Sequence, residues 1–347
     1  MEFMPSGDTR GCRTTSVPTR DDPARDALFR NLLDNPPFPA GSSLEEQRDI
    51  LDALKSMNPE LPDDVAIRQV TLATGGRAEL VAPSEAHDAR AIVYVHGGAF
   101  VNGRTAGVWQ YPAYRIAVAA KAKLLHVLHR LAPEHPFPAA RDDVLAGYDH
   151  LLRTGYEPDQ IAFVADSAGV NIALTALLAL RAQQAPMPAG LVGIGGFIDL
   201  TERDESSPDG PPDPLVTPAQ LNAAARAYLG HTDARSAAAN PLFADLHTLP
   251  PMLLLVGENE LLKADTMRFS ERACRAGVEV HVEVWQGLVH GWYLFANGVA
   301  EAEDTYLRVG DQVRQLSPSL DRWVEGREHR TRDLPAAGRG VGARPHE

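Results

Sequence analysis

Eight short runs of apolar and β-branched residues, set apart by helical patterns, constrain this chain more than any other feature. They are Ile67–Leu72, Ala78–Ala82, Ala91–Val95, Leu124–His129, Ile161–Ala165, Leu191–Gly195, Met252–Gly257 and Val278–Val284. Helical periodicity appears over Tyr111–Ala122, Arg141–Leu152, Ala168–Gln183 and Asp265–Ala276, with a last stretch over Glu301–Gln315. Near-continuous apolar strands alternating with helices specify a mostly parallel sheet covered on both faces. The expected fold class is therefore α/β, with an eight-stranded sheet.

Two segments stand outside that alternation. Arg25–Met57 holds two amphipathic patterns split by the breaker run NPPFPAG, and Thr217–Leu229 follows the breaker-rich SSPDGPPDP. In the second segment Thr217 reads as an N-cap and Pro218 as the first helical residue. Both are expected to lie as a helical cap over one end of the sheet, residues 21–60 as the N-terminal part and about 203–235 as an insertion into a catalytic domain spanning 61–316. The polar, aperiodic ends, 1–20 and 317–347, are expected to be disordered.

Charge and cysteine content narrow the function classes. Lys+Arg 33 against Asp+Glu 46 leaves a formal charge of −13, the wrong sign for gripping nucleic acid. Cys12 and Cys274 lie far apart, and with Cys12 in a polar arm neither a disulfide framework nor a thiolate metal site is expected. No signal-peptide apolar block and no membrane-spanning run is apparent. A soluble, cytoplasmic protein is the expectation.

The chemistry concentrates at three places. Residues 161–169, IAFVADSAG, read as strand, sharp turn and helix start, the context of a nucleophile elbow at Ser167. The positions two before and two after must be small, and they are Ala165 and Gly169. Such a pattern alone is common by chance, so its context carries the argument. A second piece, Val93–Phe100 (VYVHGGAF), runs a buried strand into Gly97 and Gly98, about 70 residues before the elbow. Glycines let backbone N–H groups turn toward a ligand. Together with the amide of Ala168 at a helix N-terminus, this loop can form an oxyanion hole.

A serine hydroxyl needs a base and an acid that orients it. Of 12 histidines, His290 lies in the Gly-flanked loop just after the last expected strand, where open α/β sheets place their sites. The strand Met252–Gly257 delivers Glu258, Asn259, Glu260 and, further on, Asp265 to the same edge. Glu260 is the chosen acid, with Asp265 as runner-up because it reads better as a helix-start residue. His126, His129 and His135 invite a metal reading, set aside because strand residues 126 and 129 should face opposite sides. The order Ser167, Glu260, His290 is that of an α/β-hydrolase sheet.

The chain resembles the hormone-sensitive-lipase-like (family IV) carboxylesterases of the α/β-hydrolase superfamily from about residue 40 to 297. The likeness rests on HGGAFVNG (96–103), HRLAPEHPFPAARDDVLAGYDHLL (129–152), ADSAGVNIA (165–173), DLT (199–201), NPLFADLHTLPP (240–251), GENELL (257–262) and GLVHGW (287–292). The resemblance implies Ser167 as nucleophile, His290 as base and Glu260 as the acid. It also implies Gly98, Ala99 and Ala168 as oxyanion-hole amides, and His96 as a support for the oxyanion loop. Phe100, Trp109 and Tyr111 become candidate pocket-wall residues. Three departures stand out: Ala165 where the family mostly has Gly, Glu260 where it mostly has Asp, and Ala264 in place of a second acid.

The leading expectation is a serine carboxylesterase that cleaves esters of small to medium acyl groups through an acyl-enzyme. The departures motivate a non-hydrolytic lyase, dehydratase or cyclase as the alternative; a ligand-binding pseudo-enzyme is disfavoured by the intact triad. No metal or organic cofactor is implied. Oligomeric state stays open, homodimers being common in the family.

Overall fold

A computed structural model describes residues 11–39, 41–63, 65–204 and 212–317. All eight expected strands form, and a ninth precedes them. In chain order they are β1 (Cys12–Val17), β2 (Ala66–Thr71), β3 (Arg77–Ala82), β4 (His87–Val95), β5 (Ala122–Leu128), β6 (Ile161–Asp166), β7 (Gly190–Ile194), β8 (Met252–Gly257) and β9 (Val280–Trp285). They form one sheet in the order β1-β9-β8-β7-β6-β4-β5-β3-β2. Only the β2–β3 and β3–β5 pairings are antiparallel.

The helices are α1 (Pro23–Asp34), α2 (Leu44–Ala53), α3 (Gln110–Ala120), α4 (Ala139–Arg153), α5 (Ala168–Ala182), α6 (Pro218–Leu229), α7 (Lys263–Arg275) and α8 (Ala300–Leu316). The strands sort their side chains with period two, as pleating requires. On β4, Val93 and Val95 join a core with α4, α5 and α7, whereas Ile92 and Tyr94 join the opposite core with α3 and α8. No helix among the described residues is long and apolar enough to cross a membrane.

The two segments expected to form a cap are fastened by specific contacts. In α2, Ser43 and Glu46 form a capping box. Buried Arg48 then donates from Nε to the Val101 carbonyl at 2.8 Å and forms an ion pair with Glu134 at 2.7 Å. Thr217 caps α6 with Pro218 in its first turn, as expected, and the Phe137 N–H donates to the Tyr228 carbonyl at 2.7 Å.

Two expectations for the N-terminal arm are corrected. Within 1–20, residues 12–17 are ordered as β1, paired parallel with β9 from Cys12↔Val280 to Val17↔Trp285. The strand went unseen because it is an edge: CRTTSV has no apolar alternation, and its middle four residues are exposed. Cys12 and Cys274 form a disulfide between β1 and α7. Their sequence distance argued against pairing, but parallel addition of β1 beside β9 brings the two ends together. Residues 1–10 and the expected tail from 318 onward lie outside the described residues.

Candidate active site

Ser167 stands between the end of β6 and the first residue of α5, with φ 48° and ψ −121°. That conformation is costly for a residue with a side chain. It is held by hydrogen bonds on both sides: the Ser167 N–H donates to the Ile194 carbonyl at 2.8 Å, and the Ser167 carbonyl accepts from Phe197 at 3.0 Å. Gly169 shows why the turn needs small residues, since a Cβ there would lie 2.1 Å from the Val95 carbonyl oxygen. Ala165 is wholly buried on β6, paired with Val95 on β4 and Gly193 on β7, so its methyl fits where glycine is usual.

His290 arrives on the loop after β9, and its ring spans the other two residues. The tautomer that satisfies both contacts donates from Nδ1 to Glu260 Oε2 at 2.7 Å and accepts at Nε2 from the Ser167 hydroxyl at 3.1 Å. Glu260, just past β8, also accepts the Gly257 N–H through Oε1 at 2.5 Å. All three side chains are buried. Asp265, the runner-up, is occupied elsewhere: it accepts the backbone N–H groups of Ile198 and Asp199 and pairs with Arg203 at 2.7 Å.

Burial sets the electrostatics and the partners correct it. Desolvation pushes the His290 imidazolium toward a lower pKa, but the hydrogen bond and charge of Glu260, with Asp213 and Asp166 behind, carry it above the ordinary histidine value. Burial lifts the Glu260 carboxyl, and the bonds from His290 and Gly257 oppose that rise.

The loop carrying Gly98 and Ala99 presses against the elbow. Both residues wall the cavity above Ser167, and Gly98, Ala99 and Phe100 have φ values of 94°, 51° and 67°. The Gly98 carbonyl accepts from Val101 and Asn102 at 3.1 and 2.8 Å, closing the turn. Ala168 is buried immediately after Ser167.

Three contributors escaped the sequence reading. Asp166 is buried beside Ser167 and accepts from Tyr94 at 2.8 Å, Gly97 N–H at 3.0 Å, Trp109 at 3.0 Å and Tyr293 at 2.8 Å. It thereby ties β4, the glycine loop and the histidine loop to the elbow. Asp213 accepts the backbone N–H of His290 at 3.3 Å. Gly195 packs against the acid and the base. The position of Asp166 inside ADSAG was a signal; for Asp213 and Gly195 the sequence offered none.

His126 and His129 do not simply face opposite ways. β5 ends at Leu128, the chain turns, and both rings reach His96, one edge-on at 5.4 Å and one stacked at 4.2 Å between centroids. Burial pushes the pKa of His126 down to about 3 and holds the other two below ordinary values. His96 Nδ1 lies 2.9 Å from the Gly97 carbonyl, beside the glycine loop. Of the candidate wall aromatics, only Trp109 lines the cavity. Phe100 stacks on Tyr228 at 4.0 Å, and the Tyr111 hydroxyl donates to Glu303.

The cavity measures about 330 Å³, and its walls include Phe38, Leu44 and Leu51 from the N-terminal segment and Leu215, Leu221 and Ala224 from α6 and the residues before it. Residues 92–294 match the protein family described by its alpha/beta hydrolase fold. The chain belongs to the hormone-sensitive-lipase-like α/β hydrolases. An esterase of Acinetobacter venetianus is 34% identical over 276 residues, covering 79% of this chain and 88% of the relative. An acetyl-hydrolase of Streptomyces hygroscopicus is 36% identical over 219 residues, 63% of this chain and 73% of that one. Among solved structures, an esterase from the bacterial hormone-sensitive lipase family superposes with a TM-score of 0.79 at 31% identity, over 86% of this chain and 100% of its own. EstE5, from crystals soaked with p-nitrophenyl butyrate, gives 0.77 at 32% identity, over 85% and 99%.

Proposed function

We propose that this hormone-sensitive-lipase-like hydrolase cleaves carboxylic esters of small to medium acyl groups, with Ser167 as nucleophile, His290 as base and Glu260 as orienting acid. The observation that carries the assignment is the unbroken hydrogen-bonded line from Ser167 Oγ through His290 to Glu260. In the first half-reaction Ser167 Oγ attacks the ester carbonyl while His290 Nε2 takes its proton. The imidazolium so formed faces Glu260, which stabilises it without itself becoming protonated. His290 then returns the proton to the leaving alcohol, and water releases the acyl-enzyme by the reverse sequence.

The amides of Gly98, Ala99 and Ala168 are assigned to the tetrahedral oxyanion, each donor of this kind being worth roughly 10²–10³ in rate. The positive φ angles at Gly98 and Ala99 support this, because they belong to a tight turn that lines the same cavity as Ser167. The acyl range is supported by an apolar cavity of about 330 Å³, at the small end for ligand sites. The non-hydrolytic alternative is not favoured: Ala165 fits its site, Glu260 reaches His290, and the relatives are named as esterases and hydrolases.

The expectation of a cytoplasmic location has lost the support of the cysteines, because a bridge such as Cys12–Cys274 persists in oxidising surroundings. A homodimer stays an expectation from the family, tested by the molar mass in solution. The catalytic assignment is tested by a fluorophosphonate probe together with p-nitrophenyl butyrate. Wild type should be modified at Ser167 and lose turnover in step, and Ser167→Ala should show neither while keeping its circular dichroism.

A further inference from the structure

Five asparagines are buried among the described residues: Asn58, Asn102, Asn171, Asn222 and Asn240. Four of them use their carboxamides to tie backbone together. Asn58 bonds the Val108 carbonyl and the Ala296 N–H, Asn171 the Ile198 and Ala239 carbonyls, Asn222 both backbone groups of Arg203, and Asn240 the Ala234 carbonyl and Leu242 N–H. Asn102 is the exception. It is 6% exposed, its Oδ1 is buried with no partner, as is that of Asn171, but unlike Asn171 its carboxamide makes no hydrogen bond; only its backbone N–H is engaged, closing with that of Val101 the turn to the Gly98 carbonyl.

Of its two polar carboxamide atoms only Oδ1 is fully closed off, and which atom takes the outer place is a matter of amide orientation. Asn102 belongs to the wall of the cavity that holds Ser167 and His290. It sits on the same tight turn as Gly98, whose added Cβ would meet the Asn102 backbone at 2.5 Å and its Cβ at 3.2 Å. Leaving a buried amide unsatisfied is costly, so a group that pairs with it on binding recovers what the unpaired amide forgoes. A leucine of similar size would serve an apolar wall without that cost. The wall around it is otherwise mainly apolar, and its ionisable members are Asp166, His290 and Tyr293, with no fixed cation. The wall therefore holds nothing to balance an anionic partner, and a neutral group asks least of it. A carboxamide offers either an N–H or an oxygen, and a hydroxyl answers both because it donates and accepts.

We propose that Asn102 is a substrate-reading residue and that the preferred esters carry a free hydroxyl close to the ester group. This rests on the assignment of Ser167 and His290 as the hydrolytic pair. A site built around a hydrogen bond discriminates against the analogue lacking it, since the protein group is then stranded. The preference should appear in kcat/KM for matched esters.

The experiment compares ethyl 3-hydroxybutyrate with ethyl butyrate, and glycerol monoacetate with propyl acetate, in wild type, Asn102→Leu and Asn102→Ala. One pair places the hydroxyl on the acyl half and the other on the alcohol half. Wild type should favour the hydroxylated member of at least one pair by about tenfold or more, and both variants should lose that ratio while fluorophosphonate still labels Ser167. Equal ratios in wild type and variants, or a wild type that favours neither hydroxylated ester, overturn the proposal and leave water as the partner of Asn102. Failure of the hydrolytic assignment is distinct: it would show as no turnover of any of the four esters by wild type.

Discussion

Gly195 stands so close to Glu260 that no side chain fits there without displacing the acid. A Cβ added at Gly195 would lie 2.8 Å from Glu260 Oε2 and 3.0 Å from His290 Nδ1, and its φ of 55° already disfavours a side chain. Gly195→Ala should therefore push the acid and the imidazole out of line while leaving the cavity walls alone. Displacements of about 1 Å at a catalytic group cost on the order of 10²-fold. The expected result is a fall of that size in kcat with KM little changed, read from steady-state kinetics on p-nitrophenyl butyrate.

Glu260→Gln separates charge from shape. The carboxamide keeps the volume but can present its NH₂ to Nδ1 and stabilise the wrong tautomer, and loss of an orienting carboxylate in a comparable triad costs about 10⁴ in kcat. A pH profile adds a directional check. His290 must be neutral to accept the serine proton, and its pKa lies above the ordinary value because Glu260 and neighbouring carboxylates outweigh burial. Activity of wild type should thus fall as pH drops through a value above about 6.5. In Glu260→Gln the main raising interaction is gone, burial prevails, and the residual activity should persist to lower pH.

What could be read from the chain, and what could not, follows from where each interaction lies. The inner strands β6, β7 and β8 announce themselves because both faces are buried, so their residues are apolar almost without break, whereas β2 at the far edge is mostly exposed and shows only as a short run with β-branched residues. β1 carries Thr14, Thr15 and Ser16 toward solvent and is held by β9 and by Cys274, partners that no local pattern reveals. Ser167 and His290 sit in motifs, and Glu260 follows a recognisable strand. Asp213, by contrast, reaches the His290 amide from a position 77 residues away. Gly195 is one of several glycines at a strand end, and only the meeting of three segments gives it meaning.

The disulfide should act on stability and spare catalysis. The β1–β9 pairing continues to Val17, whose carbonyl accepts the Gln286 N–H at 2.9 Å, so the bridge secures the edge rather than the catalytic residues themselves. Bridges that close long loops are typically worth about 2–4 kcal/mol. The double variant Cys12→Ser with Cys274→Ser should lower Tm by several degrees in calorimetry and keep kcat near that of wild type. An unchanged Tm would mean that β1 stays paired without it.

Chain-length preference should be set from α6. Ala223, Ala224 and Ala227 line the cavity, and the half-buried Ala227 is a position from which bulk can enter the space. Ala227→Phe should cut kcat/KM for p-nitrophenyl octanoate by tenfold or more relative to p-nitrophenyl acetate. A parallel loss for both esters would place the acyl chain elsewhere.

The most direct test of the central claim is rapid acid quench of wild type during turnover of p-nitrophenyl butyrate, followed by mass spectrometry of its peptides. The account predicts a butyryl group on Ser167, present transiently in wild type and accumulating in a variant slowed in deacylation. Undiminished hydrolysis by Ser167→Ala, or a butyryl group found consistently on another residue, would contradict it.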